Sequence, residues 1–337
     1  MKRRILLILL FPLATFACQK TYTLGPSPAP AVPTPTATPA LINSTLGWTL
    51  STSSAGFGPR AAHSSVTFNN AMWVIGGYDG TNSLNNVYNS TNGTTWNPVA
   101  GNPAFSVRYA HSSVVFNGKM WVIAGTDISG VGKTDVWSST DGANWTLATS
   151  TAAFGPRAAQ TAEVFNGKIW VIGGSPDGST VYNDVWSSGD GVNWTQATPS
   201  AAFGQRFNHT STVYNGRLWV IGGVSPSTFG ALNDVWYSTD GAAWTLATAS
   251  AAFPGRFENS CLVFNNAMWV IGGGLNLSGT MADDTWFSTD GVNWTQPSGT
   301  KFSPARSLHT SVVFNNAMWV LGGYPYPTFT ADVWHSP

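Results

Sequence analysis

Trp73-Val74-Ile75-Gly76-Gly77 is the first of six near-copies of one hydrophobic phrase, and its recurrence decides how the chain folds. The tryptophans that open the copies are Trp73, Trp121, Trp170, Trp219, Trp269 and Trp319, so successive copies stand 48, 49, 49, 50 and 50 residues apart. A regular period of that length marks an array in which each copy is one supersecondary unit that buries its faces only against its neighbours. Six copies predict six units.

Working outward from Trp121 gives the anatomy of one unit. Arg108 to Phe116 reads as a strand that ends at Asn117-Gly118, a pair whose ready positive φ suits a two-residue type I′ hairpin. A second strand follows over Lys119 to Ile123, a third carries Asp135-Val136-Trp137-Ser138, and after the tight Asp141-Gly142 turn a fourth surrounds Trp145. The first turns of the other units are Asn69-Asn70, Asn166-Gly167, Asn215-Gly216, Asn265-Asn266 and Asn315-Asn316. Four antiparallel strands in a meander make one propeller blade. The expected fold is therefore all-β, a six-bladed β-propeller of four-stranded antiparallel blades.

Second strands such as Met268 to Ile271 are apolar without alternation, as expected of sheets covered on both faces. All 17 tryptophans fall in second-, third- or fourth-strand positions, with Tyr88 as the sixth third-strand aromatic, so tryptophan is architectural here. Trp48 sits in the fourth-strand register with no third strand before it, while the chain stops soon after the third-strand Trp334. Leu46 to Leu50 is thus expected as the outer strand that closes the last blade and removes a free sheet edge.

Bulk composition narrows the function. Charged residues are only 9%, and without Lys2, Arg3 and Arg4 there are 12 basic residues against 15 acidic ones, which argues against nucleic acid as a partner. The two cysteines, Cys18 and Cys261, offer neither a disulfide framework nor a zinc site. Residues 1–17 read as a signal peptide, with Lys2-Arg3-Arg4 before an apolar run too short to span a bilayer. Ala17-Cys18 at its end resembles a bacterial lipobox, although Thr15 stands where Leu is usual, which makes Cys18 the expected lipidation site. Residues 18–44 are rich in Pro, Thr and Ala and read as a tether, leaving 45–337 for the propeller. The expected location is the bacterial cell envelope, lipid-anchored at the outer membrane or cell surface, with secretion as the alternative.

The repeats resemble kelch repeats, in which an Arg and often a His open the first strand, Gly-Gly follows the second, and spaced aromatics mark the third and fourth. The likeness covers about residues 46–337. Departures are Ala124 for a Gly, Gln160 and Asn259 for His, and Tyr88 for Trp. The resemblance implies a propeller that usually serves as a monomeric binding platform, here for a protein or glycan ligand. A minority of relatives are enzymes, so a propeller enzyme acting on carbohydrate, sialidase-like or galactose-oxidase-like, is the alternative. The Ser288-to-Trp294 turn also resembles the Asp-box of sialidases, one residue short, and reads as a structural hairpin.

In a meander both two-residue turns of a blade fall on one side and the longer connections on the other, and loops on a rigid scaffold are where binding usually lives. The long-loop side carries Tyr78, Tyr182, Phe229, Tyr324 and Tyr326 as candidate ligand contacts. Arg60, Arg108, Arg157, Arg206, Arg256 and Arg306 open the innermost strands on that side. They could grip carboxylates or phosphates of an acidic ligand, or tie each blade together through Asp135, Asp184, Asp234, Asp284 and Asp332. Blade one has Asn86 instead. His63, His111, His209 and His309 recur in repeat register and read as structural, and Cys261 as a buried apolar thiol. Glu258 is the one acid in the opening segments and the candidate general acid or base. No cofactor or metal is expected.

Overall fold

The computed structural model describes residues 46–99, 101 and 103–337; the expected signal peptide, Cys18 and the tether lie outside them. Six antiparallel sheets are present and helices are absent among the described residues. In blade two the strands Ser112–Phe116, Lys119–Ile123, Val136–Ser139 and Thr146–Thr149 pair in sequence order, and the other blades repeat the pattern. The innermost strands touch in cyclic order, from Ser64–Phe68 through to Thr310–Phe314 and back, which makes the molecule a closed six-bladed β-propeller.

Local chemistry explains the hairpins. Asn117 and Gly118 take φ of 48° and 68°, as a type I′ turn requires. Blades lock together through the outer turns: Gly142 has φ of 76°, and a Cβ there would lie 2.2 Å from the Trp73 ring of the preceding blade. Gly93 sits against Trp319 in the same way, across the junction where blade one meets blade six. Second strands are buried along almost their whole length, as in Ala71–Tyr78, so the core is a set of apolar layers between blades.

Closure uses the N-terminal segment. Thr49–Thr52 pairs antiparallel with Thr330–Ser336, placing Leu50 opposite Trp334 in a four-stranded last blade. The outer strand begins three residues later than Leu46, because Leu46 and Trp48 donate their N–H groups to Ser298 and Thr300 of blade five at 2.7 and 3.2 Å. Blade five has room for them. Its sheet has three strands, and the expected fourth is reduced to a bridge between Thr295 and Phe287. Pro297 follows without an N–H to continue the ladder, and Pro98 shortens the outer strand of blade one to Asn97–Pro98 similarly. Trp48 packs edge-on against Phe302 at 5.6 Å, matching Trp145 on Phe105 at 5.0 Å within blade two.

The long connections are shorter than the sequence suggests where strands run on through Gly-Gly. In blade one Ala71–Tyr78 and Ser83–Ser90 leave only 79–82 between them, with a bulge between Ile75 and Gly77 that absorbs the bend.

Candidate functional site

The arginines repeat one geometry in every blade. Each donates from Nη1 to the carbonyl at the first position of the Gly-Gly pair, at 2.9–3.0 Å, for example Arg60 to Gly76 and Arg157 to Gly173. Five also make two hydrogen bonds to an Asp: Arg108 to Asp135, Arg157 to Asp184, Arg206 to Asp234, Arg256 to Asp284 and Arg306 to Asp332. The same carboxylates accept the indole N–H of Trp137, Trp186, Trp236, Trp286 and Trp334. All six arginines are at most 2% exposed and lie over a Phe ring, as Arg157 over Phe154 at 5.3 Å. No ring of guanidiniums is open to a ligand at the channel mouth. The arginines tie strands together within each blade.

Blade one departs from this in two residues at once. Asn86 Oδ1 accepts from Arg60 Nη1 at 2.8 Å, and Tyr88, under the guanidinium at 5.3 Å, replaces the Trp whose N–H the Asp would have accepted. Burial without a carboxylate partner pulls Arg60 down to about 10.

Two residues further along, a second ring closes around the axis. Ala110 N–H donates to Ala62 O, Ala159 to Ala110, Asn208 to Ala159, Glu258 to Asn208, Leu308 to Glu258 and Ala62 to Leu308, at 2.8–3.2 Å. Each ring residue has φ of 51–55°, the left-handed region, which turns its N–H and C=O toward adjacent blades. Below it lies a layer of His63, His111, Gln160, His209, Asn259 and His309. His111 Nε2 lies 2.8 Å from Ser64 Oγ of the preceding blade, His309 Nε2 2.9 Å from Ser260 Oγ, and Gln160 Nε2 donates to Ile123 O at 3.1 Å. Burial drives His111, His209 and His309 down to about 3, so they stay neutral ties between blades.

Ring and His layer line a cavity of about 160 Å³, and the His layer with the residues beneath it lines another of about 230 Å³. The upper wall is unequal. Blades one to three present alanine, while blades four to six present Asn208, Glu258 and Leu308. Glu258 accepts from Asn208 Nδ2 at 3.1 Å and from Ser307 Oγ at 2.8 Å, and burial raises it to about 7. Deeper in the channel Glu163 accepts from Ser211 Oγ at 2.8 Å and is also raised to about 7 by burial.

On the long-loop face five aromatic rings run in sequence across blades two, one and six. Centroid distances are 5.5 Å for Tyr109–Tyr78, 5.9 Å for Tyr78–Phe329, 4.8 Å for Phe329–Tyr324 and 5.9 Å for Tyr324–Tyr326. Tyr326 is 57% exposed at the outer end. The KLHDC2/KLHL20/DRC7 Kelch-repeats domain matches residues 41–188 and again 129–323. The chain belongs to the kelch-repeat family. No curated protein matches it.

Within this kelch propeller the sequence candidates separate clearly. Tyr78, Tyr324 and Tyr326 join the aromatic band, and sequence reading missed Tyr109 and Phe329, its other two members. Tyr109 is the residue after Arg108 and could have been found by asking what each kelch arginine is followed by. Tyr182 instead covers Arg157 at 4.8 Å, and Phe229 projects, 52% exposed, from the loop of blade four. Cys261 is only partly buried, lines the lower channel cavity, and has its thiol pushed up by burial, which leaves it protonated and unreactive. The Asp-box-like turn caps itself: Asp290 Oδ1 accepts the N–H groups of Val292 and Asn293 at 2.8 Å. Sequence reading singles out Glu258 and marks Asn259 as a departure from His, but not the Asn208 and Ser307 that hold the Glu258 carboxylate.

Proposed function

We propose that the protein is an envelope-anchored or secreted binding module that presents its long-loop face to a macromolecular ligand. The kelch family supports interaction with protein, and the observation that carries the reading is the band from Tyr109 to Tyr326. Aromatic rings in contiguous tilted and edge-on contact offer large contact area, and aromatic side chains are where binding energy concentrates in protein interfaces. The low charge of the chain fits a ligand recognised by contact and hydrogen bonding, and a glycan would use the same rings. Anchoring rests on the Ala17-Cys18 junction and the Pro-rich tether.

Photo-crosslinking tests the face. A photoreactive residue at Tyr326 should capture a polypeptide at the cell surface, and one at Gly118 on the tight-turn side should not. Capture from Gly118 alone would overturn the assignment. Cys18→Ser should move the protein from the membrane to the soluble fraction, since stable attachment takes more than one acyl chain; a wild type that is already soluble contradicts the anchor.

Glu258 supports a second reading as an enzyme acid, because its pKa lies near neutrality at a channel mouth. The other raised carboxylate, Glu163, lines the separate lower cavity. The arrangement therefore favours binding over a two-carboxylate mechanism.

A further inference from the structure

The residues that break the repeat gather at one place, and the aromatic band does not account for them. Asn208 and Glu258 stand where blades one to three have Ala62, Ala110 and Ala159, and Asn259 stands where four blades have His and one has Gln. Two neutral donors hold the Glu258 carboxylate from opposite sides, Asn208 and the fully buried Ser307. Among the described residues no Lys or Arg pairs with Glu258; Arg256 and Arg306 of blades five and six are bound to Asp284 and Asp332. The histidines of the cavity are neutral, so nothing lining it balances the carboxylate when it ionises.

Asn259 is the second, independent observation. It is 7% exposed, and neither Nδ2 nor Oδ1 has a partner. A histidine or glutamine at this position reaches a hydroxyl or carbonyl of the preceding blade, as His309 reaches Ser260 and Gln160 reaches Ile123. Asn259 is too short to do so; the residue lines both cavities, and its donor and acceptor stay buried and unpaired beside them. A buried polar group without a partner is costly, and a bound molecule that pairs with it would recover that cost.

We propose that the channel mouth binds a primary ammonium group, with the Glu258 carboxylate as counter-ion and Asn259 Oδ1 as a further acceptor. The carboxylate supplies charge, the amide oxygen supplies direction, and the alanine half of the ring admits an alkyl chain. Ser307, which orients Glu258, pairs through its backbone with Tyr324 of the aromatic band at 2.8 and 3.3 Å. The ammonium group could belong to a lysine side chain of the macromolecular ligand or to a free alkylamine. The inference rests on the loop-face reading only for the lysine source.

Calorimetric titration of the full chain at pH 8 tests it, using n-butylammonium, Nα-acetyl-lysine methylamide and, as a neutral control, n-butanol. Both ammonium probes should bind and n-butanol should not, and Glu258→Gln should weaken binding roughly tenfold or more. Stronger binding of the lysine probe assigns the site to a polypeptide, and stronger binding of butylammonium assigns it to a free amine. Asn259→His, which installs the residue of the other blades, should fold normally and also lose binding. Absence of binding by both ammonium probes at millimolar concentration, equal binding of n-butanol, or unchanged affinity in Glu258→Gln or in Asn259→His overturns the proposal. Failure of the Tyr326 crosslink with ammonium binding intact would reject the loop-face reading alone.

Discussion

The arginine layer and the ring next to it lie two residues apart in every blade, yet they obey opposite rules. The arginines recur six times, buried and hydrogen-bonded inside their own blades, five of them to an Asp. The ring is the same only in its backbone; its side chains are alanine on one half and Asn208, Glu258 and Leu308 on the other. In a repeat protein, what every unit carries holds the array together, because each unit meets the same neighbours. A departure that the array does not need for closure points to work done by one blade pair.

The largest effect should come from removing what closes the array. Deleting residues 46–52 takes away Trp48 and the outer strand of the last blade, and loss of a packed Trp alone costs about 3–5 kcal/mol. Urea unfolding should show a destabilisation at least that large, and an unchanged midpoint would reject the closure described above. Arg157→Ala should cost up to about 3–5 kcal/mol, because the largely buried Asp184 loses its charged partner and keeps only the Trp186 N–H. Asp184→Asn in the same chain should restore part of the loss, because it removes the charge left without a partner.

Acid should act on the His layer. His111, His209 and His309 titrate near 3 in the fold against 6.5 when unfolded, and His63 also lies well below 6.5, so the unfolded chain takes protons first and stability falls as pH drops below 6.5. Glu163 and Glu258 run the other way: raised from 4.5 to about 7, they favour the fold as pH falls through 7, a contribution complete below 4.5. The two slopes oppose each other between 6.5 and 4.5, and loss should steepen below that. His111→Gln, which copies blade three, should shift the acid midpoint downward; a midpoint that does not move would show that the layer is not what titrates.

A smaller gain is expected in blade one. Asn86→Asp supplies the carboxylate that Arg60 lacks and should stabilise by about 1.5–3 kcal/mol near neutral pH, the range for hydrogen bonds to charged groups. Thermal melts read this directly, and a loss would mean that Tyr88 leaves no room for the charge.

The repeat made the fold readable: the period, the Asn-Gly turns, the tryptophan registers and the unpaired Trp48 together implied six blades and their closure. Two local details escaped because they come from single residues acting against the pattern, Pro297 ending the blade-five ladder and Leu46 filling the gap it leaves. The arginines were visible as a set, but whether they faced a ligand or Asp partners depended on distances that spacing does not give. The mouth cluster was readable only in part. Glu258 stood out as an acid, whereas Ser307 and Asn208 reach it from the two adjacent blades, a contact made by ring closure and not by sequence proximity.

Repeating residues hold the propeller, and we take the residues that break the repeat to serve a ligand. Glu258→Gln measured by thermal unfolding across pH addresses this division most directly. The amide keeps an acceptor for Ser307 and removes a charge that the fold disfavours above pH 7. This variant should be more stable than wild type at pH 8, on the order of 1–2 kcal/mol, with the advantage gone by pH 4.5. A loss at pH 8 comparable to that of Arg157→Ala would make Glu258 another structural tie and contradict the account.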